Sequence, residues 1–235
     1  MKVVGIVGYK KSGKTTLIIK LSKELSGMGY RVAVIKHASD HIDFPDTDTS
    51  KFKEYAPFVS AISEKESEII LKGRKRIEDI LAYFDSDIAL VEGFKQEKTF
   101  PKIVCVRKES DKEELFDGLQ LLTAGFEGST SEFVIGNDDH IKSMASIIME
   151  KSFKLPSLNC GHCGYETCFD LAKEIVAGKE SISKCVSLNP PISINIDGTV
   201  FPLNPFTSNL LKNTILAMLS SLKGFKKGTV QIEIP

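Results

Sequence analysis

Eight consecutive residues, Gly8-Tyr9-Lys10-Lys11-Ser12-Gly13-Lys14-Thr15, satisfy G-x-x-x-x-G-K-[ST] at every fixed position. The glycines let the backbone curl so that successive N–H groups point inward at phosphate oxygens. A helix opening at Lys14 aims its partly positive N-terminus at the same anion. Lys14 brings a mobile point charge to the β- and γ-phosphates, and the Thr15 hydroxyl can ligate magnesium, with Lys14 as the catalytic cation. The expected ligand is a purine nucleoside triphosphate with Mg2+, bound by Gly8, Lys11, Ser12, Gly13, Lys14, Thr15 and Thr16. An apolar strand runs into the motif and an amphipathic segment runs out of it, the context that this chemistry requires.

A magnesium or water-orienting acid should come from another strand of the same sheet. Asp87-Ile88-Ala89-Leu90-Val91-Glu92 carries a carboxylate at each end of one apolar run. Ligands of parallel sheets gather at the carboxyl ends of strands, which selects Glu92, for magnesium and catalysis, over Asp87. Lys36-His37 ends the preceding strand, so His37 also faces the nucleotide. The polar stretch beyond it holds His41, Asp43, Asp46, Asp48 and Thr49, of which Asp48 and Thr49 are the candidates for closing on the γ-phosphate and magnesium. A transition metal on His37 and His41 is the alternative, on weaker grounds, since no third ligand has a fixed spacing. No N-K-x-D guanine box is present. Asn137-Asp138 is a faint substitute, in which Asp138 accepts from guanine N1 and N2.

Four of the 5 cysteines crowd into Cys160-x2-Cys163-x4-Cys168-x16-Cys185. Four thiolates close a cubane cluster with one ligand per iron. Gly161 and Gly164 let the backbone approach the inorganic sulfides. Zinc also takes four thiolates, but its usual spacing has two C-x2-C knuckles and only one is present. Secreted disulfide frameworks spread their cysteines more widely. Cys105 stands apart in an apolar strand and reads as core.

These residues need a scaffold. Over residues 1–150, short apolar runs alternate with amphipathic ones, the pattern of a parallel sheet with flanking helices. Strands are expected at Lys2–Val7, Arg31–Lys36, Val59–Ser63, Glu68–Leu71, Asp87–Glu92, Lys102–Arg107 and Phe133–Gly136. Helices are expected at Lys14–Leu25, Ile77–Tyr83, Leu115–Leu119 and His140–Met149. Periodicity fades near Lys151–Pro156, so residues 151–188 are expected to form a cluster domain with a helix at Phe169–Ala177. Residues 189–235 are expected to form a small α+β tail: a hairpin turning at Asp197-Gly198, a helix over Asn209–Leu222 and a strand at Val230–Ile234. The 235 residues carry 31 Lys+Arg and 31 Asp+Glu, so no excess charge recommends nucleic acid or an anionic membrane as partner. No apolar run is long enough to span a bilayer and the first residues lead straight into a strand, so a cytoplasmic location is expected.

Taken in order, Gly8–Leu17, Lys36-His37, Asp48-Thr49, Asp87–Lys95 (DIALVEGFK), Pro101-Lys102-Ile103 and the helix after Asp138-Asp139 resemble molybdopterin-guanine dinucleotide biosynthesis protein B, MobB. The likeness covers most of residues 1–150. It implies an α/β P-loop NTPase-type fold and a GTP-binding accessory factor, dimeric and with weak GTPase activity. The implied partners are the guanylyltransferase that attaches GMP to molybdopterin and the molybdopterin-type cofactor itself. The histidine-rich stretch of bacterial members is thinned over residues 38–47. Nitrogenase-iron-protein-like ATPases have a lysine directly after the first loop glycine, where this chain has Tyr9. Residues 155–188 are similar to the four-cysteine [4Fe-4S] domain of corrinoid iron–sulfur and electron-transport proteins, although Val186-Ser187 replaces the Pro-Gly that often follows the last cysteine. An ATP-driven reductive activator and a non-catalytic nucleotide- and cluster-binding module are the rival expectations, separated by base preference and turnover.

Overall fold

The computed structural model of the protein describes all residues except 39–46, 74, 189, 197–198, 227, 229, 231 and 233–235. The described chain divides into two compact units. The first comprises Met1–Gln96, Lys102–Phe116 and Gln120–Ser152; the second comprises Glu97–Pro101, Asp117–Leu119 and Phe153–Pro235.

In the first unit, β1 (Lys2–Gly8) is buried from its second residue onward, because a parallel strand covered on both faces admits apolar side chains at every position. It lies between β5 (Ile88–Glu92) and β6 (Lys102–Cys105), both parallel to it. β2 (Val32–Lys36) flanks β5, while β7 (Gln120–Gly125) and β8 (Phe133–Val134) extend the other edge, giving the order β2-β5-β1-β6-β7-β8. The chain leaves β1 toward one edge for β2 and later crosses β1 from β5 to β6. Strand order therefore reverses around the end of β1, where parallel α/β sheets bind ligands.

Side-chain alternation divides the core between the two faces of the sheet. Val4, Ile6, Ile103 and Cys105 pack with Leu17, Leu21 and Leu25 of α1 (Lys14–Gly27) and with Ile141, Met144 and Ile148 of α5 (Asp138–Lys151). Val7, Val104 and Val106 point the other way, onto Leu115 at the end of α4 (Ser110–Leu115). Each such fully buried aliphatic side chain is worth about 1.5–3 kcal/mol. Two shorter helices, α2 (Asp48–Tyr55) and α3 (Ile77–Leu81), and the antiparallel pair β3 (Phe58–Ile62) and β4 (Ser67–Leu71) complete the unit.

Three expectations change. Asp48 and Thr49 open α2 rather than sitting in a loop, with the Thr47 hydroxyl accepting from the Ser50 N–H as N-cap. The helix expected at Leu115–Leu119 ends at Leu115 instead, having begun at Ser110. Its Leu119 is followed by β7, a sheet strand that the pattern did not show, since QLLTAG lacks both alternation and β-branching apart from Thr123. The strand expected at Val230–Ile234 and the Asp197-Gly198 turn lie wholly or mostly outside the described residues.

In the second unit, α6 (Cys168–Val176) starts at an N-cap, Thr167, whose hydroxyl accepts from the Asp170 N–H. Leu171 and Ala172 of α6 pack with Leu119, Phe153, Leu155 and the buried Cys168 and Cys185. The Leu155 N–H donates to the Thr99 carbonyl at 2.8 Å, tying the segment before the cysteines to residues 97–101. A short hairpin, β9 (Ile194–Ile196) with β10 (Thr199–Phe201), precedes α7 (Pro205–Ser220), which begins with Pro at its first position and Asn204 capping the Thr207 N–H.

Candidate functional site

The glycine-rich loop occupies the turn from β1 to α1. At Gly8 a Cβ would lie 2.4 Å from Ser12 Oγ and 2.7 Å from the Cys105 carbonyl oxygen, so any side chain there would force the loop open. Gly13 has φ +92, and a Cβ there would also strike Ile135 and the Phe126 ring at 2.7 and 3.0 Å. Lys11 shares the left-handed region at φ 63. Ser12 is buried, and its hydroxyl is an orphan: among the described residues it has no hydrogen-bond partner. The Lys14 ammonium donates to the Tyr9 carbonyl at 2.8 Å, a single contact that a phosphate can displace. Thr16 is exposed in the first turn of α1.

Sheet register brings the acid to this loop. Glu92 is paired with Ile6 of β1 on one side and Lys36 of β2 on the other. Its carboxylate accepts from the Thr15 hydroxyl at 3.4 Å. Asp87, at the opposite end of β5, instead receives the Arg31 N–H at 2.8 Å and its guanidinium at 3.1 Å, which holds the Asp87 carboxyl below its usual range. His37 donates its backbone N–H to the Glu92 carbonyl at 2.9 Å and sets its ring edge-on to Phe94 at 5.0 Å. Phe94 has φ 51, a conformation that costs a non-glycine residue about 1–2 kcal/mol. The Lys95 ammonium lies 4.2 Å from the centroid of the Tyr9 ring, so the loop after β5 covers one side of the phosphate loop.

The remaining nucleotide candidates are more scattered. Asp48 is turned to solvent beside Lys51 at 3.7 Å, and the Thr49 hydroxyl bonds that of Thr47 at 3.0 Å. His41, Asp43 and Asp46 lie outside the described residues. Asp138, the first residue of α5, accepts from Lys20 at 2.9 Å, and that ammonium keeps its carboxyl below the ordinary range. Asp138 borders an open pocket of about 700 Å3 shared with Phe126, Val134 and Gly136. Asn137 is committed elsewhere, since its side chain caps α5 by accepting from the Asp139 and His140 N–H groups. Phe126, which touches the loop at Gly13 and walls this pocket, carries no sequence signal.

In the second unit, Cys160, Cys163, Cys168 and Cys185 all line one cavity, and all are free thiols. Asn159, at φ 45, accepts the Cys168 N–H at 2.8 Å and so fixes the first cysteine against the third. Ser187 Oγ is 3.5 Å from Cys160 Sγ. Burial pushes the Cys185 thiol up. Burial works the same way on Cys160, but hydrogen bonds from Ser187 and His162 outweigh it and leave that thiol below its usual value. Among the described residues, no three His, Cys, Asp or Glu side chains converge closely enough to hold a single ion. Cys105, buried under the phosphate loop, is pushed up to about 12 by desolvation.

A six-stranded parallel sheet with a glycine loop after its central strand defines an α/β fold of the P-loop type, with a cysteine-lined module attached. The family model for "Molybdopterin guanine dinucleotide synthesis protein B" matches residues 3–124, and one described as "Putative Fe-S cluster" matches residues 155–187. The chain belongs to the MobB family. It is 32% identical over 244 residues to a Methanocaldococcus jannaschii protein named "Putative molybdopterin-guanine dinucleotide biosynthesis adapter protein", covering 100% of this chain and 97% of that one. A Haemophilus influenzae adapter protein of the same pathway is 36% identical over 118 residues, covering 47% of this chain and 66% of its own. The crystal structure of a MobB homologue from Bacillus stearothermophilus superposes with TM-score 0.50 at 28% identity, covering 64% of this chain and 99% of that one. Among the described residues no helix is long and apolar enough to cross a membrane.

Proposed function

We propose that this chain is a GTP-binding adapter of molybdopterin guanine dinucleotide biosynthesis that also carries a [4Fe-4S] cluster. The observation that carries the nucleotide half is the orphaned Ser12 hydroxyl inside a loop whose glycines exclude side chains, with Thr15 and Glu92 meeting beside it. A buried hydroxyl without a partner costs about 1–3 kcal/mol, and a phosphate oxygen is the acceptor that the surrounding N–H groups and Lys14 would also select. Thr15 and Glu92 are the hard oxygen donors that magnesium takes. Adjacent octahedral oxygens at about 2.1 Å from the ion are roughly 3 Å apart, close to the 3.4 Å between theirs. When bound, the ion neutralises phosphate charge; Lys14 adds a second positive charge and Glu92 orients what approaches the γ-phosphate.

The guanine preference is supported by the pocket that Phe126 and Asp138 border. An ionised Asp138 offers two acceptors to the N1–H and N2–H donors of guanine, which adenine lacks. The cluster is supported by four thiols around one cavity. Sulfur ligands of a single zinc, at about 2.3 Å from the ion, must approach one another within roughly 3.8 Å, whereas a cubane keeps them farther apart. When bound, the cluster supplies one-electron chemistry. The pathway partners on this reading are the guanylyltransferase and its molybdopterin-type cofactor, met by a homodimer of this chain.

Anaerobically prepared protein should bind Mg·GTP by calorimetry and contain about four irons and four sulfides per chain. Lys14→Ala should abolish triphosphate binding while leaving the fold intact. Unchanged GTP affinity in that variant would remove the phosphate site, and one zinc per colourless chain would remove the cluster.

A further inference from the structure

The turn over Val186–Leu188 follows directly on Cys185. Ser187 in that turn is buried, and its Oγ stands 3.5 Å from the Sγ of Cys160, 27 residues earlier in the chain. Between a thiol and a hydroxyl either atom could donate. Once Cys160 is a ligand it is a thiolate with no proton to give, so the hydroxyl must be the donor. Burial leaves Ser187 little water as an alternative partner. The same turn is tied to the last cysteine as well, because the Leu188 N–H donates to the Cys185 carbonyl at 3.1 Å. One short turn therefore anchors its backbone on the last cysteine and sets a side-chain donor against the sulfur of the first. The backbone bond survives most substitutions; the contact with sulfur depends on the side chain at residue 187.

We propose that Ser187 is a positioning residue for the cluster, its hydroxyl donating to the Cys160 thiolate and setting the cluster's reduction potential. This rests on the cluster reading above. Adding an electron places more negative charge on the thiolate sulfurs, so a donor aimed at one of them favours the reduced form and raises the potential.

The test uses the full chain, anaerobically reconstituted, with iron and sulfide counted and the midpoint measured by mediated spectroelectrochemical titration. Ser187→Ala should lower the reduced-to-oxidised ratio at a fixed potential three- to tenfold, which for a one-electron couple is about 30–60 mV. Ser187→Thr, which keeps a hydroxyl, should stay near the parent. If Ser187→Ala holds too little iron to titrate, Ser187→Thr and Ser187→Val give the same comparison at matched shape. Equal midpoints for Ser187→Thr and Ser187→Val, or a Ser187→Ala protein with full iron and the parent's potential, would overturn the proposal and leave the cluster standing. A parent protein without iron would instead defeat the cluster reading itself.

Discussion

Replacing Ser12 by alanine should move stability and affinity in opposite directions. The hydroxyl is buried and has no partner among the described residues. Removing it relieves about 1–2 kcal/mol of desolvation that nothing repays. At about 2–4 °C per kcal/mol for a chain of this size, the apo melting temperature should rise by roughly 2–8 °C. In the complex the same hydroxyl gains a charged phosphate acceptor, worth about 1.5 kcal/mol, so Kd for Mg·GTP should weaken roughly tenfold. At a GTP concentration a hundred times the parent's Kd, ligand stabilisation should fall from about 2.7 to about 1.4 kcal/mol. Calorimetric melts with and without Mg·GTP, joined to titration calorimetry, read both quantities. An apo variant less stable than the parent, or one with undiminished GTP affinity, would refute the reasoning.

Glu92→Gln should leave nucleotide binding within about tenfold and depress magnesium-dependent hydrolysis by roughly 10²; undiminished single-turnover hydrolysis would move that role elsewhere, with Asp48 next in line. Asp138→Asn should lose preference for GTP and gain affinity for XTP, whose 2-oxo group accepts where guanine's 2-amino group donates. An unchanged GTP-to-XTP ratio in competition binding would take Asp138 out of base recognition. Cys105→Ser should keep its iron, whereas Cys168→Ser should lose it. In the native, cluster-free protein at pH 8 the Cys105 thiol, pushed to about 12, should resist iodoacetamide, as peptide mapping can show.

Motifs whose geometry is local were legible in the sequence. Gly8 and Gly13 are dictated by the backbone of their own loop, and Glu92 follows from the rule that parallel sheets work at strand ends. The cysteine spacing marked the four thiols that line one cavity for the same reason. What escaped was set by burial from a distance. β7 reads as featureless because Leu122–Gly125 are covered on both faces, which erases the alternation that marks a half-exposed strand. α2 buries none of its residues, so it had no apolar stripe to betray it. Phe126 against Gly13 and Ser187 against Cys160 are tertiary meetings of ordinary residue types, and no spacing announces them.

The composition of the second unit bears on how the chain is made. Phe100 and Leu119, both fully buried, leave the ribosome long before Phe153, Leu155 and Cys168, the residues that complete their unit. At about 5–20 residues per second, the roughly fifty residues from Leu119 to Cys168 take several seconds to synthesise. During that interval two short segments of the second unit, residues 97–101 and 117–119, exist before the residues that pack on Leu119. The cysteine module is thus the last piece of a structure already begun, and a ribosome that stalls after residue 152 releases a chain with sticky, unfinished edges for chaperones to shield.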